Sequence, residues 1–253
     1  LLPWGLLAVA LIAAFAQNFA EMWIRWFPAW RHTSQGLYDR ITGGESYYTH
    51  GPLIPFVSLL ISVLIVRHLR IRVRPRPVVG GILLLLALLL HLMACLARVN
   101  FASGFAFIAT LMGLILMVWG AEALRRLWFP IALLLFMVPL PEVTVSNASF
   151  HLKMLAAAWG VWVANLVGIA AEQVGNRVLL NDDKTLVIAN VCNGLRTLIS
   201  LVAFGALYTY VCRLQGLWRA GLFVASFAVA IISNALRIGS LIIVADIWDV
   251  KTA

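Results

Sequence analysis

Long apolar stretches alternate with short charged loops along the whole chain, and stretches such as Ile82–Leu90 and Leu127–Leu140 carry no charge at all. A helix needs about 20 apolar residues to cross a bilayer. The pattern predicts seven spanning segments, at roughly 1–20, 51–66, 78–98, 101–119, 127–141, 192–211 and 220–245. Pro75 and Pro77 mark a loop, and Pro139 and Pro141 end a helix, because proline lacks the N–H that a helix interior needs. No internal repeat is evident. The reading is an all-α fold: a polytopic membrane helical bundle in one transmembrane domain, residues 1–253.

Two segments break the pattern. In 143–171 the first half is polar on one side (Asn147, His151, Ser146, Ser149, Lys153) and the second half is apolar. It either crosses the membrane or forms an interfacial or re-entrant helix. In 172–190, Val178–Leu180 and Thr185–Ile188 are short β-type runs around Asn181, Asp182, Asp183 and Lys184. That arrangement predicts a short extracytoplasmic β-hairpin.

Composition and charge add sidedness. Charged residues make up 11% of the chain, against about 25% in soluble domains. The basic balance would suggest nucleic acid in a soluble protein, but here the cations lie in short loops between apolar segments, so no nucleic-acid partner is expected and lipid is. Arg67, Arg70, Arg72, Arg74, Arg76, Arg125, Arg126, Arg213 and Arg219 share three short loops with one acid, Glu122. The positive-inside rule assigns those loops to the cytoplasm. The remaining loops balance eight cations with nine acids and are placed outside; this parity requires 143–171 to make no net crossing.

Candidate chemistry is sparse. Arg196 and Arg237 lie within otherwise apolar segments, where a charge costs several kcal/mol unless paired or hydrated. The structural alternative is snorkelling, or pairing with Asn234 or a backbone carbonyl. Cys192 stands at a predicted outer helix start with Arg196 four residues on; a helix N-terminus and a guanidinium both favour thiolate. Cys95 and Cys212 read as small buried or interfacial residues, and His68 and His91 as structural. His50 at the mouth of the second span and His151 on the polar face of 143–171 are the histidines placed toward the outer side. The tryptophans read as an interfacial belt. No Cys-x-x-Cys, zinc spacing, P-loop or dinucleotide fingerprint occurs, so neither metal nor cofactor is expected.

Four short motifs resemble the boxes of the exosortase/archaeosortase family. Val191-Cys192-Asn193-Gly194-Leu195-Arg196 is similar to its Cys-Ser-Gly-x-Arg box, with Asn193 in place of the usual Ser, and Asn234-Ala235-Leu236-Arg237 to its Asn-x-x-Arg box. Phe136–Pro141 resembles the Pro-rich end of a preceding span, and Tyr48-Thr49-His50-Gly51 the N-terminal Tyr-x-His-Gly box. The order fits across about residues 45–245.

The resemblance implies a membrane-embedded thiol protease and transpeptidase of protein sorting, in a bacterial or archaeal cytoplasmic membrane, with its active site facing outside. Its implied partners are secreted proteins with a C-terminal sorting signal: a short motif, one transmembrane helix and a basic tail. The family triad is Cys, Arg and His. Cys192 matches the Cys and Arg237 the Arg, with Arg196 supporting and His50 and Asn234 as auxiliary candidates. The family His lies beyond the second Arg box, and no His follows His151 here; the expectation is that it lies past Ala253. The alternative from another class is a transporter or channel in which Arg196 and Arg237 bind an anionic substrate.

Overall fold

The computed structural model describes residues 2–31, 46–69, 72–175, 177–180, 185–187, 194–212 and 215–247. They fall into two compact units, Leu1–Leu140 and Pro141–Ala253.

The first unit begins with α1 (Leu2–Ala14) and α2 (Ala16–Trp26), jointed at Phe15, and a 3-10 turn at Pro28–Arg31. Then come α3 (Leu53–His68), α4 (Pro77–Leu96), α5 (Asn100–Val118), the short α6 (Ala121–Arg126) and α7 (Trp128–Leu133), and a 3-10 turn at Leu134–Met137. Proline at the first position of α4 suits a helix start, where its missing N–H leaves no bond unmade.

The α4–α5 hairpin shows how these apolar helices choose a face. A Cβ on Gly80 would overlap the Met117 backbone, and one on Gly113 would lie 2.8 Å from the Leu84 nitrogen. Ala87, Ala94 and Ala106 are buried, while Leu85, Leu86, Leu92 and Leu96 are exposed. Small residues meet protein and large apolar ones point outward, as expected where lipid is the solvent. His91 ties this hairpin to the α1–α2 joint. Its Nε2 is 3.1 Å from the Ala14 carbonyl and its Nδ1 is 2.8 Å from the Ser103 hydroxyl. Cys95 Sγ lies 3.7 Å from the same ring, and Phe15 packs on it with ring centroids 4.0 Å apart. The structural roles expected of His91 and Cys95 thus have specific partners.

The segment before α4 is pinned to the turn after α5. The Arg74 and Arg76 backbone N–H groups donate to the carbonyls of Trp119 and Leu116 at 3.2 and 3.1 Å. Gly120 makes this approach possible: its φ is +89°, and any Cβ there would overlap the Arg74 carbonyl.

The second unit holds α8 (Glu142–Leu166), strands β1 (Ala171–Val174), β2 (Arg177–Leu180) and β3 (Thr185–Val187), then α9 (Gly194–Val211) and α10 (Leu217–Ile247). The strands form one antiparallel sheet in the order β1-β2-β3. The expected hairpin is β2–β3, in register Val178↔Leu186; β1 adds a third strand that the sequence pattern does not single out. Along β2, Val178 and Leu180 are buried and Arg177 and Leu179 exposed. The buried pair joins Ala156, Ala157 and Ala164 of α8 and Ile238, Ile242 and Ala245 of α10 in one core. Asn165 clips the sheet to α8, its side-chain amide bonding both the N–H and the C=O of Ala171.

Successive contacts fix the helix directions. Gly160 of α8 meets Ile238 and Gly239 of α10, and Val163 meets Gly239; Ala156 lines a crevice with Ala230 and Asn234. Both numbers rise together, so α8 and α10 run parallel. Gly194 of α9 meets Asn234, and Gly205 meets Ser226. Those numbers run oppositely, so α9 is antiparallel to α10.

Pro77–Leu96, Asn100–Val118, Gly194–Val211 and Leu217–Asp246 are long and apolar enough to cross a membrane, and Trp128–Met137 with Glu142–Leu166 makes a fifth if counted as one broken element. The expected 127–141 span is therefore a short helix and a 3-10 turn, interrupted before α8 by the two prolines.

Candidate active site

Each unit brings two of the four motifs together. In the first unit the Tyr48–Gly51 turn docks on the end of the 3-10 segment. Pro139 and Pro141 have no N–H, so Leu140 carries the sole backbone donor of 139–141. That N–H donates to the Tyr48 hydroxyl at 2.9 Å, and Arg25 donates to the Leu140 carbonyl at 3.1 Å. The Trp26 indole donates to the Met137 carbonyl at 3.1 Å. Gly51 must be glycine, since a Cβ would overlap that indole. Ser46 completes the turn, donating to the Arg25 carbonyl at 2.7 Å and accepting from the Tyr48 N–H at 3.0 Å. Burial raises the Tyr48 pKa, against the opposing pull of the Leu140 bond and the nearby Arg25 charge.

His50 sits in this turn, half-buried, with its ring 6.3 Å from that of Tyr48. Burial lowers its pKa, and a bond to the Phe136 backbone partly offsets that. The net effect favours neutral imidazole, the form able to accept a proton. Trp26 is a correction to the interfacial belt: it is buried, 8% exposed, and holds a backbone carbonyl. Trp128, Trp159, Trp162 and Trp218 are exposed as a belt requires.

In the second unit the Cys and Arg motifs meet at the start of α9. Asn234 is buried, 7% exposed, and lies directly against Gly194, where a Cβ would overlap its amide. Beside this contact is a crevice lined by Leu152, Ala156, Gly194, Leu198, Ala230 and Asn234. Arg196 is half-buried on the first turn of α9, its Nε shielded from solvent with no hydrogen-bond partner among the described residues. Leaving a buried donor unmet costs roughly 1–3 kcal/mol. Arg237 is one turn beyond Asn234 and exposed on α10. Cys192 lies outside the described residues, two positions before Gly194 in sequence.

Other histidines and cysteines have contacts of their own. His151 is exposed on α8 against Phe150, and the crevice wall is its neighbour Leu152. His68 is exposed, its ring bonded to the Leu64 carbonyl at 2.9 Å. Cys95 and Cys212 are both free and half-buried. Arg25, Trp26 and Ser46 are structural partners of this turn that sequence reasoning misses, because they precede the Tyr48 motif and carry no pattern of their own. Among the described residues no cluster of His, Cys, Asp and Glu could hold a metal ion.

Residues 41–253 match the transmembrane exosortase family. The chain belongs to that family. No curated protein and no solved structure matches it. This exosortase is therefore a multi-pass membrane protein with a transpeptidase-type role, and the transporter alternative is not favoured. The family generally works as cysteine transpeptidases on secreted proteins that carry sorting signals.

The contact between Gly194 and Asn234 gives a direct test of the paired motifs. Gly194→Val is expected to lower the thermal midpoint of the purified exosortase by several degrees, since overpacking costs about 1–3 kcal/mol and each kcal/mol shifts a chain of this size by about 2–4 °C. Gly221→Val is the control, because a Cβ there meets nothing within 4 Å. Equal midpoints for the two variants would refute the contact.

Proposed function

We propose that this exosortase cleaves C-terminal sorting signals of exported proteins at the outer face of the cytoplasmic membrane, with Cys192 as nucleophile and Arg237 as oxyanion partner. The observation that supports this most is the Gly194–Asn234 contact in an antiparallel helix pair. Cys192 is two positions before Gly194 in sequence, and Arg237 is three positions after Asn234. Arg237 lies about 4.5 Å past Asn234 at 1.5 Å per residue. It also lies 9 residues before Asp246, about 14 Å from the outer end of that span. A substrate whose motif sits just outside its own transmembrane helix presents its scissile bond at that depth.

The chemistry is acyl transfer. The Cys192 thiolate attacks the scissile carbonyl carbon, and the carbonyl electrons move onto oxygen. Arg237, supported by Arg196, stabilises that oxyanion by hydrogen bonds worth a few kcal/mol per donor. Collapse of the tetrahedral species breaks the C–N bond, and an imidazolium, the third triad member that the family resemblance implies, protonates the leaving amine. A thioester on Cys192 remains and passes to an acceptor nucleophile.

The experiment is co-expression with a secreted reporter that ends in a motif, one transmembrane helix and a basic tail. Cleavage dependent on the exosortase is expected, and an intact reporter would sink the reading. Sidedness has its own measurement. In a cysteine-free background, a membrane-impermeant maleimide added outside is expected to label Asp182→Cys and to leave Arg72→Cys unlabelled. The reverse pattern would move the proposed site to the cytoplasm.

A further inference from the structure

A second cavity lies in the first unit, at the opposite end of α3 from the Tyr48–Gly51 turn. Its volume is about 510 Å³, and its walls include Val66, Arg67, His68, Val73, Trp119 and Leu127. Three elements build it: the last turn of α3, the segment docked before α4, and the α5–α6 turn. The Arg74 and Arg76 backbone bonds to Trp119 and Leu116 hold the docked segment in place, and the positive φ of Gly120 permits it. The cavity therefore depends on a built contact between segments distant in sequence rather than on a loose loop.

Its walls are of two kinds. Val66, Leu69, Val73, Trp119, Ala123 and Leu127 make the apolar part of the wall, and Arg67 and His68 the polar part. The flanking sequence is cationic: Arg72, Arg74, Arg76, Arg125 and Arg126 are exposed, as Arg67 is, and Glu122 is the one carboxylate among residues 66–128. A soluble anion would match the guanidiniums but would gain nothing from the apolar walls. A neutral apolar ligand would gain from the walls but would not need Arg67 or the cationic sequence around it. Both features together match an amphiphile with an anionic head. The size also suits a headgroup with its glycerol, since small-molecule sites run from about 300 to 1,000 Å³.

We propose that this cavity binds one anionic phospholipid. Its phosphate sits at Arg67, in the field of the arginines of the flanking sequence, and the start of an acyl chain lies along Val66, Val73 and Leu127. On the positive-inside reading of the loops, the lipid comes from the cytoplasmic leaflet. The site would anchor the first unit in an anionic membrane, and it is independent of the reaction proposed for Cys192.

The test uses the full chain purified in detergent and native mass spectrometry. Dioleoylphosphatidylglycerol and dioleoylphosphatidylcholine are offered separately, and inorganic phosphate is offered in excess as competitor. One retained phosphatidylglycerol is expected, with phosphatidylcholine held at least tenfold more weakly and inorganic phosphate unable to displace the lipid. Two variants separate charge from room. Arg67→Gln with Arg74→Gln removes cations, and is expected to weaken phosphatidylglycerol about tenfold or more, given the attraction each basic residue contributes near an anionic headgroup. Val73→Trp fills the cavity from its exposed rim and is expected to weaken it similarly while every cation stays. Arg98→Gln, away from the cavity, should bind as the parent does. All four positions are on exposed or partly exposed surface, and an unchanged thermal midpoint without lipid confirms folding. Equal retention of the two lipids, displacement by inorganic phosphate, or parent-like binding by Val73→Trp would each overturn the proposal.

Discussion

Replacing Cys192 with Ala is expected to abolish processing of a co-expressed secreted protein with a C-terminal sorting signal, while Cys95→Ala and Cys212→Ala leave it intact. Of the three cysteines, Cys192 alone belongs to a motif whose other members the fold gathers: Gly194 against Asn234, and Arg196 on the first turn of α9. Cationic neighbours favour thiolate, whereas an apolar setting raises a thiol's pKa and quenches it. Cys95 has a different setting, 3.7 Å from a His91 ring that is already engaged with Ala14 and Ser103. If Cys192 only packed, Ala would cost roughly 1–2 kcal/mol from a small cavity, and processing would fall only with the amount of protein. The measurement is reporter cleavage at equal membrane abundance, with mass spectrometry for a thioester or alkylation adduct on Cys192. Normal cleavage by the Ala variant would end the catalytic reading.

Arg237→Lys is expected to lose most activity, about 100-fold, while the protein still accumulates in the membrane. Removing one donor from an oxyanion site typically costs about 10²–10³ in rate. Lysine keeps the charge but replaces a planar fork of donors with a single flexible ammonium. Accumulation should be unaffected because Arg237 is exposed on α10, away from the buried Ile238 and Ile242 that hold α8 and the sheet. The neighbouring Asn234 supplies the contrast. It is buried against Gly194, so Asn234→Ala should lower the thermal midpoint as well as activity. Near parental processing by the Lys variant would refute the oxyanion role and leave only a need for positive charge.

Residue order makes part of the candidate site legible, since it places His50, Cys192, Arg196, Asn234 and Arg237 in motifs. Order does not say which motif meets which. The fold pairs Tyr48–Gly51 with Phe136–Leu140 and Gly194 with Asn234. The first pairing rests on residues without any sequence signature. Arg25 reads as one loop cation among several and Trp26 as one belt tryptophan, yet together they hold the Leu140 and Met137 carbonyls. Their roles follow from reach between segments far apart in the chain, which no local pattern encodes. The Pro-rich motif does carry a usable hint: two prolines around Leu140 leave one N–H needing a partner.

Class and most elements follow from the sequence unaided. Few charges and long apolar runs leave the chain no stable state but a membrane bundle, because a backbone in hydrocarbon must satisfy its own hydrogen bonds as helix. The β2–β3 hairpin is also readable, since Val178 and Leu180 alternate with exposed neighbours at the period of a half-buried strand. Which face of each helix meets protein is settled only by tertiary packing. In water, apolar periodicity marks the buried side. In lipid both sides are apolar, so Leu85 and Leu92 face outward while Gly80, Ala87 and Ala94 face a neighbour. Close packing of small residues, not hydrophobicity, selects the contact. That selection brings Gly160 onto Ile238, Gly194 onto Asn234 and Gly120 onto Arg74, and with them the crevice at the start of α9 and the cationic cavity of the first unit.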